Sequence, residues 1–213
     1  MPPFSEQLHQ ASKSLHIEAE RSGVIAQILK GAASVEAYSL YLRSLHPAYE
    51  ALEQGLALHQ YTHAVGQVAR AEVYRAESLA ADLNVLAGPD WRTDLPVLPE
   101  ASAYADVIDH ATEDGGERLI AHAYTRYMGD LSGGQIMARL LGERLGLPPG
   151  ALGFYRFDQI ADMPAYKSAY RSWLDAAGAL LTNPPVVAQE AQVAFRLNID
   201  VSVAVARHVS GVG

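Results

Sequence analysis

Apolar positions recur along this chain at intervals of three and four residues, the spacing of helices with one buried face. Leu8, Ala11, Leu15 and Ala19 form a first stripe, with Ser5 as its expected N-cap, Phe4 as the staple and Ser22-Gly23 as the stop. A short helix is expected before Lys30-Gly31. Ser34 then caps a long one faced by Tyr38, Leu42, Leu45, Tyr49, Leu52 and Leu56, and Pro47 inside it predicts a kink. Further helices are predicted over residues 68–86 and 102–112, with a proline-bearing loop over 91–100 between them. A helix over residues 118–141 follows, and Pro148-Pro149-Gly150 breaks the chain after it. The last two helices span residues 163–180 and, after Asn183-Pro184-Pro185, run to about His208. No stretch alternates with the period of a strand. The pattern predicts an all-α fold, a single-domain helical bundle over residues 1–213.

Composition narrows the chemistry. The 213 residues are enough for a sizeable core, and the 49% hydrophobic and 19% charged shares are those of a globular protein. There is no cysteine, which excludes disulfides, thiolate catalysis and cysteine-ligated clusters. The net charge of −8 argues against nonspecific nucleic-acid binding. No apolar run reaches membrane-span length, the first residues lack a signal-peptide pattern, and the C-terminus at Gly213 has no hydrophobic anchor. A cytoplasmic protein with no membrane anchor is expected.

One stretch is out of pattern. Gly129, Gly133 and Gly134 fall in the middle of the helix predicted over residues 118–141. Each interior glycine costs roughly 1 kcal/mol relative to alanine. Gly129 and Gly133 are four apart and share a face. Asp130 sits beside that face and Arg126 lies one turn before it. Close helix packing or a simple kink explains such glycines in most proteins. The alternative is a bare strip against which a large planar group lies, edged by a carboxylate and a guanidinium.

The string Tyr124-Thr125-Arg126-Tyr127-Met128-Gly129-Asp130-Leu131-Ser132-Gly133-Gly134-Gln135 closely resembles the distal-helix signature of the haem oxygenases. The similarity extends to Tyr49-Glu50-Ala51-Leu52-Glu53, Gly88-Pro89-Asp90-Trp91 and Ala194-Phe195-Arg196-Leu197-Asn198, nearly the whole chain. It implies haem b as both substrate and cofactor and O2 as co-substrate. The ring is opened at a meso carbon, with biliverdin, carbon monoxide and ferrous iron as products. Nothing here resembles a flavin or nicotinamide site, so electrons are expected from a ferredoxin, flavodoxin or flavoprotein reductase.

The resemblance also assigns residues. Leu15-His16-Ile17-Glu18-Ala19-Glu20 is similar to the proximal segment, which implies His16 as iron ligand and Glu20 as the group orienting it. His122 is the rival among the eight histidines, and the resemblance places it outside the iron shell. Asp130 is implied as the carboxylate holding proton-delivering water, with Arg126 and Asn198 anchoring the network and Gly129 and Gly133 keeping the distal face bare. Lys167 and Arg171, four apart on one helix, match the pair binding the haem propionates, and Tyr124 matches a further contact. Phe195 matches a position packed near the porphyrin. The family often has a lysine seven residues before the proximal histidine; this chain has His9 there, with Lys13 nearby as its substitute. Together these imply attack at the α-meso carbon. The other readings are a haem-binding or haem-transfer protein without turnover, and a related helical fold acting on thiamin-type compounds.

Overall fold

The computed structural model describes residues 2–211. The expectation that no apolar anchor lies at Gly213 falls outside those residues. Ten α-helices are found among them: α1 Phe4–Glu20, α2 Gly23–Leu29, α3 Val35–Leu58, α4 Ala76–Ala87, α5 Trp91–Asp94, α6 Pro99–His110, α7 Leu119–Ala123, α8 Gly129–Leu145, α9 Met163–Gly178 and α10 Pro184–Val209. No strand occurs among the described residues, so the fold is the all-α bundle that the periodicity predicts.

α3 runs through the centre. Tyr38, Leu42, Leu45, Tyr49, Leu52 and Leu56 are all fully buried, and the Ser34 hydroxyl accepts from the Ala37 amide at 3.0 Å as the cap. Helix continues past Pro47, because neighbours pack on both sides of that residue and hold the turn that proline weakens. α10 is the second long element, lying against α1, α2, α3, α6 and α7. Gly23 makes its approach to α2 possible: φ there is +55°, and a Cβ would stand 2.2 Å from the Ser202 carbonyl oxygen.

Several boundaries differ from the sequence pattern. α1 begins at Phe4 with Pro3 at the N-cap; Ser5 lies inside it and donates its amide to Asp175 Oδ1 at 2.8 Å. The helix predicted over residues 68–86 is one 3-10 turn, Ala71–Val73, followed by α4, because Glu53 Oε1 accepts from the amides of Arg75 and Ala76 and starts the helix there. The loop predicted over residues 91–100 contains the single turn α5. Trp91 in that turn is fully buried between the guanidiniums of Arg43 and Arg92.

The largest departure lies in the glycine stretch. It is not one helix: α7 ends at Ala123, residues Tyr124–Met128 form a π-helical turn, and α8 continues from Gly129 to Leu145. A π turn inserts one residue into the helical register. The Thr125 hydroxyl donates to the Ala121 carbonyl at 2.9 Å inside it.

Candidate active site

A cavity of about 550 Å³ opens between the first two helices and the glycine helix. His9, His16, Ala19 and Glu20 of α1 and Ile25 and Leu29 of α2 line one side. Gly129, Asp130, Gly133, Gly134, Ile136 and Met137 of α8 line the other, with Tyr124 and Arg126 of the π turn beside them. Arg171, Phe195 and Asn198 complete it.

The glycines are bare toward this space. A Cβ at Gly129 or Gly133 would meet nothing within 4 Å. Close packing of a second helix therefore does not explain them. At Gly134 a Cβ would stand 3.1 Å from the Tyr155 ring, so that glycine does serve packing. Ile136 is 51% exposed and belongs to the cavity wall.

Behind the strip lies a buried polar cluster. Tyr49 donates its hydroxyl to Asp130 Oδ2 at 2.5 Å and accepts from Arg126 Nε at 2.9 Å. Arg126 also donates to Asn198 Oδ1, and its other terminal nitrogen lies 3.6 Å from Asp130 Oδ1. Burial pushes the Asp130 carboxyl up, against the opposing pull of Arg126 and the Tyr49 hydroxyl. Burial also opposes charge on Arg126, but the oxygens of Tyr49 and Asp130 outweigh it, and the guanidinium is held above its usual range. The cluster is thus a fixed cation beside a carboxyl whose proton affinity is raised.

On the opposite wall, His16 Nδ1 is 3.6 Å from Glu20 Oε1, close but beyond a hydrogen bond. The His16 ring leans on Phe195 with centroids 5.8 Å apart. His122 is placed elsewhere: it is fully buried, does not line the cavity, and its Nε2 meets Glu190 Oε1 at 3.0 Å. That contact draws the Glu190 carboxyl down, although burial alone would raise it.

Of the three expected cations, one lines the cavity. Arg171 lines the cavity; Lys167 and Lys13 do not. Lys167 lies one turn, about 6 Å, before Arg171 on α9. Lys13 falls at the solvent edge of the α1 stripe formed by Ser5, His9, His16 and Glu20, since successive residues rotate by about 100°. His9, which the sequence offered only as a departure, is on that stripe and in the lining.

Sequence reasoning also passed over Tyr49. It sits in the apolar stripe of α3 and inside a string shared with the haem oxygenases, and only its hydroxyl distinguishes it from a core residue. Among the described residues there is no cluster of three or more histidine, aspartate or glutamate side chains suited to a bare metal ion. No helix among the described residues is long and apolar enough to cross a membrane.

Known proteins resemble this chain in sequence and in fold. Residues 2–204 match the family model described as Heme oxygenase. Heme oxygenase 1 of Pongo abelii is 35% identical over 202 residues, covering 92% of this chain and 69% of that protein. Heme oxygenase 1 of Synechocystis is 31% identical over 196 residues, covering 92% and 82%. The crystal structure of heme oxygenase-1 from Synechocystis sp. PCC6803 in complex with heme superposes with a TM-score of 0.90 at 29% identity, covering 99% of this chain and 95% of that one. The chain therefore belongs to the haem oxygenase family.

Proposed function

We propose that residues 1–213 act as one haem oxygenase unit, converting haem to biliverdin, carbon monoxide and ferrous iron with O2 and external electrons. The observation that carries this reading is the pair of glycines facing empty space across a cavity from a histidine, with a buried carboxyl set just behind them. Such a slot fits a flat macrocycle, and any side chain at Gly129 or Gly133 would project into it. Haem, when bound, supplies the iron that activates dioxygen and the ring carbon that is oxidised.

The protein's part is binding, exclusion and proton placement. His16 would hold the iron, with Glu20 near enough to bias its other nitrogen. Gly129 and Gly133 put no side chain against that face of the cavity, so neither position would place an acidic group against a bound ring. Asp130 stands back by one residue and holds a proton through water. Tyr49 and Arg126 fix its two oxygens, and Asn198 fixes Arg126. Arg171 and Tyr124 bind the carboxylate edge and set the ring's rotation, which supports attack at the α-meso carbon.

A ferredoxin, flavodoxin or flavoprotein reductase supplies the electrons, and a cytoplasmic setting suits such donors. The test is to add hemin, record the Soret band, and then add ascorbate in air. A histidine-ligated spectrum that gives way to green pigment is expected. An unchanged haem spectrum would leave a binding protein instead.

A further inference from the structure

We infer that Asp82 of α4, which does not itself line the cavity, is a positioning residue for the tetrapyrrole site: it pins the turn at Gly153-Phe154 and so holds Phe154 and Tyr155 in place as a wall of that cavity. This rests on the proposed haem site.

Asp82 is a buried carboxylate, 1% exposed, on the face of α4 that also buries Leu79 and Leu83. Burying such a group is costly unless its oxygens are bonded. Both are. Oδ1 accepts from the Gly153 amide at 2.8 Å, and Oδ2 accepts from the Phe154 amide at 2.8 Å. Burial pushes the carboxyl up, against the pull of those two amides. The turn is shaped to admit it. A Cβ at Gly153 would stand 2.9 Å from Asp82 Oδ1, so the missing side chain is what lets one carboxylate reach two successive amides.

The pinned turn faces the cavity. Phe154 and Tyr155 are both buried and both line it. Phe154 meets the Tyr49 ring edge-on, with centroids 5.6 Å apart, and Tyr49 carries the hydroxyl that bonds Asp130 and Arg126. Tyr155 lies against Phe154 at 4.7 Å and is the ring that a Cβ at Gly134 would meet. On the α8 side, Gln135 Nε2 donates to the Tyr155 carbonyl at 3.0 Å. On the α4 side there is a second hold, since Arg75 donates to the Arg156 carbonyl and lies over the Phe157 ring at 4.2 Å.

The wall therefore has its aromatic rings toward the ligand and its backbone tied to α4. Asp82 supplies the two bonds at the residues that carry and precede those rings. Without it, two amides lose their acceptor in a tightly packed turn, and the turn must move to find another. Phe154 would then shift against Tyr49, and Tyr155 against the glycine helix. Asp82 acts on the ligand only through these rings. A carboxylate that merely capped a turn would contribute stability and leave the cavity unchanged.

Iron-free protoporphyrin IX is the probe, because its fluorescence reports binding without turnover. Asp82→Ala should lower its affinity roughly tenfold, the scale of coupling between groups that act through one another. Asp82→Asn, which keeps one accepting oxygen, should fall between that variant and the wild type. Tyr155→Ala should also weaken binding, and adding Asp82→Ala to it should cost less than about twofold more, because the ring that Asp82 positions is already gone. Gly153→Ala leaves Asp82 in place and displaces its carboxylate, so it should reproduce the loss and serves as the test if Asp82→Ala does not fold. Asp82→Ala or Gly153→Ala proteins that unfold at lower urea but bind porphyrin as the wild type does would overturn the inference, as would fully additive losses in the double variant. Failure of the wild type to bind porphyrin would overturn the haem site itself.

Discussion

Asp130 gains its proposed role from its surroundings. An aspartate four residues after an arginine is ordinarily a surface pair worth a few tenths of a kcal/mol. Here both are buried and share the Tyr49 hydroxyl. Asp130→Ala should fold and bind hemin nearly as the wild type does, yet give little biliverdin, and chromatography of the pigment checks this. Normal biliverdin yield would remove Asp130 from the chemistry. The glycines make a prediction of opposite signs. Gly129→Ala should stabilise the ligand-free protein by up to roughly 1 kcal/mol, a rise of about 2–4 °C in Tm, because alanine favours helix and its Cβ meets nothing. The same methyl enters the slot, so hemin affinity should fall. A variant that loses both stability and affinity would show the glycine serving packing. The glycines and Asp130 were readable from spacing and string. Tyr49 was not, because a tyrosine in an apolar stripe looks like any core aromatic until its hydroxyl partners are known. Lys13 and Lys167 were readable as cations, but which cation lines a cavity depends on tens of degrees of helix rotation.

At the scale of elements, the helices were legible and their junctions less so. The π turn at Tyr124–Met128 uses residues that also suit an α-helix, and the shift is set by what the turn must reach: Asn198 and Tyr49 through Arg126. The start of α4 was likewise hidden, because its cap is a side chain from α3. Glu53 accepts the Arg75 and Ala76 amides, and burial outweighs those bonds, raising its carboxyl from 4.5 to about 7. The folded state then binds the proton more tightly than the unfolded chain does. Glu53's contribution to stability is full below about pH 4.5 and is lost as the pH rises through about 7. Glu53→Gln keeps the accepting oxygen and removes the titration. Denaturation across that window should show the variant gaining on the wild type as pH rises, then running parallel above it. A constant difference would mean that Glu53 does not titrate there.

For the whole molecule, the all-α architecture followed from helical periodicity, and the central cavity follows from where the bundle leaves α1 and α8 unpaired. The proposed anchoring of haem at its edge draws on separate elements, since Arg171 of α9 and Tyr124 of the π turn both line the cavity. Arg171→Glu should therefore loosen the ring's rotation and yield a mixture of biliverdin isomers where the wild type yields α. A single α product from both would make cavity shape the determinant. The account as a whole stands on turnover. The most direct measurement is a single-turnover reaction of the hemin-loaded protein with O2 and a reducing partner, with biliverdin and carbon monoxide both quantified. The account predicts that the two form in equal amounts as haem disappears, and that His16→Ala forms neither. Haem that is reduced and binds oxygen but survives intact, with no carbon monoxide released, would contradict it.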